Sequence, residues 1–365
     1  MQKISMLFLA VFLLSCQPEE LEMFTELDFS VKSKIQGSKE KNEANRVRVR
    51  NIEALRKLPF PSTKNRKEVF VSGYYDSGDG GGGIFYWDPI SIEDDNGGTI
   101  ISLQNNETGR WKREYKDTIN IRWFGAKENP DFDNSSSLQK AIDFSKEEAK
   151  ILEIHGRYKI NSTVFLNLID GLTIQGNAGS EIYTMDVIRL FSAKTKGIVK
   201  NLTFKNLKFS NYSQSLLPSF DLFHFEEVCL KNILFQFCQF TAPKINSNAI
   251  KFINQNDCLT ENISFSYCQF FDLGRMGIEI QNHNYYDLQI RYKNIRVTES
   301  TFTNLGNLSF GMGISLSGYG NEFVAENNTF KGYSYAGIEI VGCSNNLING
   351  NNFAGGEGGG IKMSG

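Results

Sequence analysis

The sequence Trp-Phe-Gly-Ala-Lys occupies residues 123–127, and an Asn- and Asp-rich segment follows it at residues 129–134. The next residues, Ser135-Ser136-Ser137, offer hydroxyl groups that can cap the free N–H groups at the start of a helix. Apolar residues then recur at helical spacing, at Leu138, Ala141, Ile142 and Ala149. This stretch therefore predicts a short amphipathic helix that begins near residue 136.

Two short strands are predicted after this helix, at residues 151–154 (Ile-Leu-Glu-Ile) and 158–160 (Tyr-Lys-Ile), with a turn at His155-Gly156-Arg157. The Phe-Gly-Ala-Lys string, the Asp-rich loop, the helix ending in Ala-Ile-Asp and this turn resemble the opening of pectate-lyase-like domains related to rhamnogalacturonases, epimerases and phage tailspikes. The resemblance implies a helix that caps the first coil of a right-handed parallel β-helix. It is more specific for the fold than for the reaction.

A nine-residue pattern recurs after residue 200, with the form Asn-aliphatic-x-apolar-x-x-small or polar-x-Phe. Its copies lie at residues 201–209, 232–240, 262–270, 294–302, 322–330 and 345–353. The closing Phe residues are successively 31, 30, 32, 28 and 23 positions apart. A repeat of this length predicts a solenoid whose coils bury their apolar faces only by stacking on one another.

The seventh position of the pattern is occupied by Leu207, Cys238, Cys268, Ser300, Asn328 and Asn351. We expect a tight turn there, with left-handed φ and a ladder of hydrogen-bonded side chains. Cys238 and Cys268 would stack on each other. Free core thiols are the favoured interpretation for these two and for Cys229, Cys258 and Cys343, because no Cys-x-x-Cys metal spacing is present.

Composition favours many short strands over long helices, since the 365 residues include 29 Phe and 33 Gly but only 7 Pro. A chain of this length can form one large domain and a smaller one. The net charge of −2 provides no broad basic field, which argues against a nucleic-acid partner.

The N-terminus has the features of an export signal. Residues 1–15 contain Lys3 and an apolar run that is too short to span a bilayer. The ending Leu-Leu-Ser-Cys at residues 13–16 resembles the lipobox of bacterial lipoproteins, which implies cleavage before Cys16 and acylation of its thiol. The acidic residues 17–22 resemble a signal that sends some lipoproteins to the cell surface. The predicted location is therefore the outer membrane, lipid-anchored and facing outward.

The predicted organisation is a signal peptide at residues 1–15, a tether at 16–46, a small β-rich module at 47–118 and the β-helix at 119–365. The glycine run at residues 80–83 lacks the Gly-Lys-Ser/Thr of a phosphate-binding loop, so a hairpin turn is favoured. The module resembles the one that precedes the β-helix in tailspike-like proteins. The last residues still follow the coil pattern, so either the chain is a fragment or a partner or second copy covers the open coil.

A second strand follows most copies of the pattern, with sequences of the Gly-Ile-x-Ile type. Strict alternation predicts that the Ile, Leu, Phe and Met side chains point inward and the residues between them outward. If these strands stack in register, one outward column contains Lys251, Glu279, Ser315, Glu339 and Lys362, and its neighbour contains Gln281, Ser317 and Ser364. Glu279 and Glu339 would then be two coils, or about 9.6 Å, apart.

Two chemistries fit this predicted surface. Glu279 and Glu339 are spaced for an inverting carboxylate pair, with lysines that hold acidic sugars. Alternatively, Lys251 or Arg275 removes the proton beside a uronate carboxylate, with charge neutralised by Glu279 or by a divalent cation, as lyases of this fold generally do. No other cofactor and no metal site formed by the protein are predicted.

The remaining candidates lie close to the ends of these strands. His283 is a candidate acid and Tyr319 a candidate for sugar stacking, while Lys362, Ser315, Gln281 and Tyr319 form the predicted substrate-binding set. For His155 and His224 a structural role is favoured, because one lies in a turn and the other in an apolar run.

A purely structural interpretation competes with both chemistries, because alternating Lys and Glu on a sheet face often only form cross-strand pairs. Gly311-Met312-Gly313-Ile314-Ser315-Leu316 resembles the Gly-His-Gly-Leu-Ser-Ile strand of polygalacturonases, but Met312 replaces the His, so their hydrolytic mechanism is not carried over. The favoured function is a surface lipoprotein that acts on acidic polysaccharide as a lyase or hydrolase. The alternative is a non-catalytic glycan-binding, structural or adhesive β-helix.

Overall fold

The computed structural model describes residues 47–59, 67–104, 108–149, 151–193, 196–215, 220–254, 259–282 and 289–364. The predicted signal peptide, the tether, the lipidation site Cys16 and His283 lie outside these ranges, as does the side chain of Ala149. Within the described ranges, no helix is both long enough and apolar enough to cross a membrane.

The N-terminal part is the predicted small β-module, and it forms a five-stranded sheet with strand order β1-β2-β3-β5-β4. Its strands are β1 (Val47–Val49), β2 (Glu68–Val71), β3 (Gly83–Asp88), β4 (Ile100–Ser102) and β5 (Arg110–Arg113), and helix α1 spans Ile52–Arg56. The rings of Trp87 and Trp111 pack edge to face at 5.3 Å in its core. This core is separate from that of the β-helix.

The glycine run lies in the connection between the antiparallel strands β2 and β3, which confirms the hairpin. Asp79 accepts hydrogen bonds from the N–H groups of Tyr74 at 2.9 Å and Gly81 at 2.8 Å. The buried guanidinium of Arg113 donates to the carbonyls of Gly81 at 2.8 Å and Gly82 at 2.6 Å. Burial lowers the pKa of Arg113 to about 9. The loop is therefore held in place by charged side chains.

Helix α2 spans Ser135–Phe144, as the apolar spacing predicts, and it is preceded by a 3₁₀ turn at Ile121–Phe124 and followed by a π turn at Ser145–Ala149. Leu138, Ala141 and Ile142 are fully buried against the first coils. The predicted serine cap is wrong. Asn134 is the N-cap residue without a side-chain cap bond, and Asp133 accepts from the N–H of Ser135 at 2.9 Å.

From residue 118 onward the chain forms the predicted parallel β-helix. Its strands lie on three faces, which we call the first, second and third sheets, and the long strand Met312–Glu326 joins the first to the third. The first sheet contains β6 (Thr118–Asn120), β7 (Ile151–Ile154), β10 (Ile169–Gly176), β13 (Ile198–Lys205), β16 (Cys229–Gln236), β19 (Thr260–Ser266), β22 (Tyr292–Thr298), the C-terminal part of β24 (Met312–Glu326) and β27 (Leu347–Asn349). The second sheet contains β8 (Arg157–Lys159), β11 (Glu181–Thr184), β14 (Lys208–Asn211), β17 (Gln239–Ala242), β20 (Gln269–Leu273), β23 (Thr301–Leu305), β25 (Thr329–Tyr333) and β28 (Asn352–Ala354). The third sheet contains β9 (Val164–Phe165), β12 (Phe191–Ser192), β15 (Phe223–Glu226), β18 (Ile250–Asn254), β21 (Met276–Asn282), the N-terminal part of β24, β26 (Ala336–Ser344) and β29 (Gly359–Ser364).

The closing Phe of each repeat points inward and forms a continuous stack. The rings of Phe240, Phe270 and Phe302 are successively 4.7 Å apart and nearly parallel. The inward Ile column of the third sheet is also as predicted, with Ile250, Ile278, Ile314 and Ile338 fully buried. Leu347, Ile361 and Met363 on the last described coil are exposed.

The left-handed turns are displaced from their predicted place. The seventh position is buried and absent from the residues with positive φ, whereas the sixth position has φ near 54° at Phe237 and Tyr267. A ladder does exist at the seventh position, where Asn328 donates to Asn351 at 2.9 Å. The longer ladder is formed by the first position of the pattern, at Asn201, Asn232, Asn262 and Asn294. The reason is geometric: the first position bends the chain within the first-sheet strand and the sixth bends it just after that strand, while the seventh side chain points into the core.

The cysteine prediction is correct for three residues and wrong for one. Cys238, Cys268 and Cys343 are free thiols, and burial raises the pKa of Cys268, which makes it a poor nucleophile. Cys229 is disulfide-bonded, and its partner lies outside the described residues. Cys229 is only half-buried at the start of β16 rather than part of the inner core.

Asn262→Ala is expected to lower the free energy of unfolding by about 1–2 kcal/mol. Asn262 has φ of 58° and makes ladder bonds at 2.8 Å and 2.7 Å, so alanine loses both bonds and is disfavoured at this φ. Urea unfolding measures the loss. Asn262→Gly tolerates the left-handed φ but also lacks the ladder bonds, so it should lose less unfolding free energy than Asn262→Ala. Equal stability of Asn262→Ala and the parent would contradict the role of the ladder.

Candidate functional site

The outward face of the third sheet carries one continuous row of polar side chains, which we call the charged row. Its members are aligned by the parallel register of β15, β18, β21, β24, β26 and β29, and they are His224, Lys251, Glu279, Ser315, Glu339 and Lys362. The predicted register of the last five is confirmed. They face outward because their inward neighbours alternate with them along each strand.

The middle of the charged row is a tight ionic cluster around Glu279, which is only 4% exposed. Its carboxylate is 3.0 Å from Lys251 Nζ and 3.0 Å from Arg275 Nη1. Asn248 Nδ2 donates to the same carboxylate at 2.7 Å. Glu279 is therefore fully engaged, and the cluster retains one net positive charge.

The end of the row nearest the C-terminus is more open. Glu339 is half-buried and accepts one hydrogen bond, from Ser315 Oγ at 3.0 Å. Lys362 aligns with Glu339 on the next strand, and its Nζ lies 3.2 Å from the centre of the Tyr335 ring. Tyr335 packs edge to face on Phe310, which is 65% exposed. A carboxylate, a cation and two aromatic rings thus lie on neighbouring coils at this end of the row.

The other end of the row contains a histidine that the sequence did not indicate. His224 Nδ1 lies 2.7 Å from Asp221 Oδ2, and its Nε2 lies 3.6 Å from Glu226 Oε2. His224 is 7% exposed, so it is buried as expected for a structural role. It nevertheless points to the outer face, because the apolar run Leu222-Phe223-His224-Phe225 alternates Phe inward with His outward.

The neighbouring outward column contains Gln281, Ser317 and Ser364 in register, as predicted. Tyr319 is exposed in the middle of β24, where the strand passes from the third sheet to the first. The column begins with Glu226. Lys362, Ser315 and Gln281 therefore share the outward face of the third sheet, whereas Tyr319 lies where β24 leaves that sheet. The roles of all four remain predictions.

The described residues contain no group of three His, Cys, Asp or Glu side chains that could hold a metal ion. What the charged row does offer is an open strip parallel to the β-helix axis, with cations at intervals of a few coils. Successive coils are about 4.8 Å apart. An extended polymer can therefore follow the row, with several of its anionic units in contact with the protein.

A second polar cluster, on the outward face of the second sheet, was not predicted. Glu181 is 3% exposed and accepts hydrogen bonds from Ser210 Oγ at 2.6 Å and Tyr212 Oη at 2.8 Å. It also pairs with Arg157 Nε at 2.6 Å and Lys208 Nζ at 3.3 Å. Burial alone would raise the pKa of Glu181, but the two hydroxyls and the two cations together lower it.

Glu181→Gln is expected to destabilise the protein by about 2 kcal/mol at neutral pH and by much less in acid. A lowered folded-state pKa means that this stabilisation is complete above the unfolded-state pKa, about 4.3, and disappears as the pH falls through the lower folded-state value. Urea unfolding of both proteins at pH 7 and about pH 3 tests this sign. The matched control is Glu322→Gln at an exposed position. If Glu181→Gln and the parent differ in unfolding free energy by the same amount at both pH values, the prediction is contradicted.

Two family models match the chain. The model of a phage tail protein small four-stranded beta-sheet domain matches residues 48–116. The model of a right handed beta helix region matches residues 223–365. These matches confirm the small β-module and the right-handedness of the β-helix.

Solved structures that resemble this chain include three bacteriophage tailspikes. One is a tailspike from the Acinetobacter baumannii bacteriophage Fri1, described as a capsular polysaccharide depolymerase, with a TM-score of 0.59 and 12% identity over 87% of this chain and 69% of that one. Tailspike protein 2 of an Escherichia coli O157:H7 bacteriophage has a TM-score of 0.60 and 13% identity over 94% of this chain and 50% of that one. The Acinetobacter baumannii phage AM24 tailspike has a TM-score of 0.52 and 18% identity over 86% of this chain and 58% of that one. This chain therefore spans between half and about two thirds of their lengths, and the likeness establishes the fold.

Proposed function

We propose that this tailspike-type right-handed parallel β-helix binds an acidic polysaccharide along its charged row and cleaves it by elimination. The observation that carries the proposal is the strict register that aligns Lys251, Glu279, Ser315, Glu339 and Lys362 on one open face. The description of the Fri1 tailspike as a capsular polysaccharide depolymerase supports a glycan as the ligand.

Elimination fits the geometry better than hydrolysis by a carboxylate pair. Inverting hydrolysis requires one carboxylic acid and one free carboxylate. Glu279 is engaged by Lys251, Arg275 and Asn248, so it is poorly placed to give up a proton or to activate water. Glu339 is the more accessible carboxylate, and elimination beside a uronate carboxylate needs only one base and a cation.

The proposed step begins when Lys362 pairs with the carboxylate of a uronate unit. Glu339 takes the proton from the carbon next to that carboxylate, and the released electron pair forms a carbon–carbon double bond. The bond between the adjacent carbon and the linking oxygen breaks. The departing oxygen takes a proton from the Tyr335 hydroxyl, which solvent restores.

Lys251 and Arg275 are assigned to binding rather than to proton removal, because both already pair with Glu279. The cluster of two cations and one carboxylate keeps one positive charge, which can hold the carboxylate of another sugar unit. Gln281, Ser317 and the exposed Tyr319 ring supply further contacts for sugar hydroxyls and apolar faces.

Glycan binding without cleavage is the second candidate function. Complete engagement of Glu279 is the observation that favours it, since a structural ion cluster would look the same. The purified protein, incubated with uronic-acid and neutral polysaccharides, separates the two. Ultraviolet absorbance of an unsaturated product together with new reducing ends supports elimination. New reducing ends alone would instead mean hydrolysis, and retardation in affinity gels without either product would mean binding only.

The location remains a separate proposal, in which acylated Cys16 holds the β-helix at the outer surface of the outer membrane. The disulfide at Cys229 supports an oxidising compartment. We also propose that a partner or a second copy covers the exposed apolar residues Leu347, Ile361 and Met363.

A further inference from the structure

The second sheet carries a cavity of about 650 Å³ on its outward face, away from the charged row. Its side-chain lining includes Arg157, Glu181, Lys208, Phe237 and Gln239. A volume of this size is in the range of small-ligand sites and exceeds that of a single small ion. The cavity is therefore large enough for part of an extended ligand.

The ionic groups of this cavity leave an excess of positive charge. Glu181 is buried and oriented by Ser210 and Tyr212, so its charge is fixed deep in the wall. The two cations that pair with it reach further outward, since the side chain of Arg157 is 59% exposed and that of Lys208 is 30% exposed, against 4% for Glu181. Two cations against one buried carboxylate present a net positive surface to a ligand.

Two aromatic rings extend the cavity along the β-helix axis. Phe237, which lines the cavity, stacks on Tyr267 of the next coil with 5.1 Å between ring centres and 21° between planes. Phe237 is 47% exposed and Tyr267 is 52% exposed. Because the two rings cover each other's inner faces, the pair presents mainly ring edges to solvent, and we call this exposed apolar surface the aromatic platform. Apolar ring atoms of this kind pack against the C–H groups of a sugar.

The backbone conformation at these turns does not favour the two rings. They occupy the sixth position of the repeat, where φ is 54° in both, and bulky residues are disfavoured at such values. The equivalent turns of the other coils contain Asn206, Glu299, Asn327 and Gly350, and asparagine and glycine are the residue types that tolerate left-handed φ best. Exposed aromatic residues at a site that suits asparagine are typical of a binding surface.

We infer that this cavity and its aromatic platform form a second, non-catalytic binding site for an acidic glycan. The cations hold a carboxylate of the sugar, Gln239 contacts its hydroxyl groups, and the two rings support the next sugar units about one coil further along. This site lies on a different sheet from the charged row. Its existence does not depend on whether the charged row cleaves the polymer.

The test is affinity electrophoresis of the Glu339→Gln protein through gels that contain polygalacturonate, alginate, hyaluronate or neutral dextran. The double variant Phe237→Asn/Tyr267→Asn carries the residue found at the equivalent turns of the same chain, so its melting temperature should not fall. We expect its dissociation constant for at least one acidic polymer to rise at least tenfold. Arg157→Gln should also weaken the binding of that polymer. Ile198→Asn, at an exposed position of the first sheet, should leave the dissociation constant unchanged.

Several results would overturn the inference. Unchanged retardation in all three acidic polymers would do so, as would an equal loss with dextran. Dissociation of an oligomer by the double asparagine variant, measured by sedimentation, would mean that the rings cover a second copy instead.

Discussion

Glu339→Gln is expected to lower the rate of cleavage of an acidic polysaccharide by about 100-fold to 10,000-fold, without a change in melting temperature. The glutamine side chain has the same shape and can still accept the hydrogen bond from Ser315 Oγ, which is 3.0 Å away. It cannot take up a proton, so the proposed elimination loses its base. The measurement is the initial rate of unsaturated product formation, with circular dichroism to verify the fold.

Glu322→Gln is the matched control, because Glu322 is exposed on the first-sheet part of β24. Its rate should equal that of the parent. If Glu339→Gln retains the full rate, Glu339 is not the base. If only the affinity falls while the maximal rate is kept, Glu339 binds substrate and does not transfer a proton.

Glu279→Gln is expected to lower the free energy of unfolding by about 3 kcal/mol, the largest stability effect that we predict for the charged row. The carboxylate is 4% exposed, and its loss leaves Lys251 and Arg275 facing each other without a counter-charge. The side chains of Lys251 and Arg275 are 19% and 30% exposed, so water partly solvates the two unpaired cations. The expected loss of unfolding free energy is therefore at the lower end of the range for breaking a buried ion pair. Urea unfolding at neutral pH measures it.

Lys251→Gln provides the comparison for this second prediction. It removes one cation but leaves Glu279 paired with Arg275 and Asn248, so the loss should be smaller, about 1 kcal/mol. Equal losses in the two variants would contradict the view that Glu279 is the centre of the cluster. Raised salt should not rescue Glu279→Gln fully, because buried charges are poorly screened.

Local patterns predict the repeating part of this fold well. The spacing of Phe209, Phe240, Phe270 and Phe302 predicts the coil length, and the alternation in the Gly-Ile-x-Ile strands predicts which residues face outward. Register follows from the same alternation, since a slip by one residue would turn every Ile to solvent. That is why the order of Lys251, Glu279 and Glu339 along the face is correct.

Contacts between different coils are harder to predict from sequence. Asn248 and Arg275 meet Glu279 from two different loops, and no periodicity indicates how those loops bend. The Glu181 cluster has the same origin, because Arg157 and Lys208 come from the coils on either side of it. For His224 the apolar neighbours in sequence correctly predict burial, but they do not indicate that this one side chain points to the outer face.

The turn positions illustrate a different limit. Asn at the first position of the repeat and Asn or an aromatic residue at the sixth both have left-handed φ, while the seventh position, represented by Cys238 and Ser300, is buried. Polar or small residues occur at all three positions, but Phe237 and Tyr267 occupy the sixth in two copies and Leu207 the seventh in one. Only the path of the backbone decides which of them bends the chain and which enters the core.

The most direct test of the charged row as a glycan-binding surface is lysine acetylation of the purified protein with and without an acidic polysaccharide that it retards in gels, read by mass spectrometry. We predict strong protection of Lys251 and Lys362 by the polymer. Lys231 and Lys293, which pair with Glu261 on the first sheet, are the matched controls and should react equally in both samples. Protection of Lys231 and Lys293, with Lys251 and Lys362 labelled as in the free protein, would contradict the account.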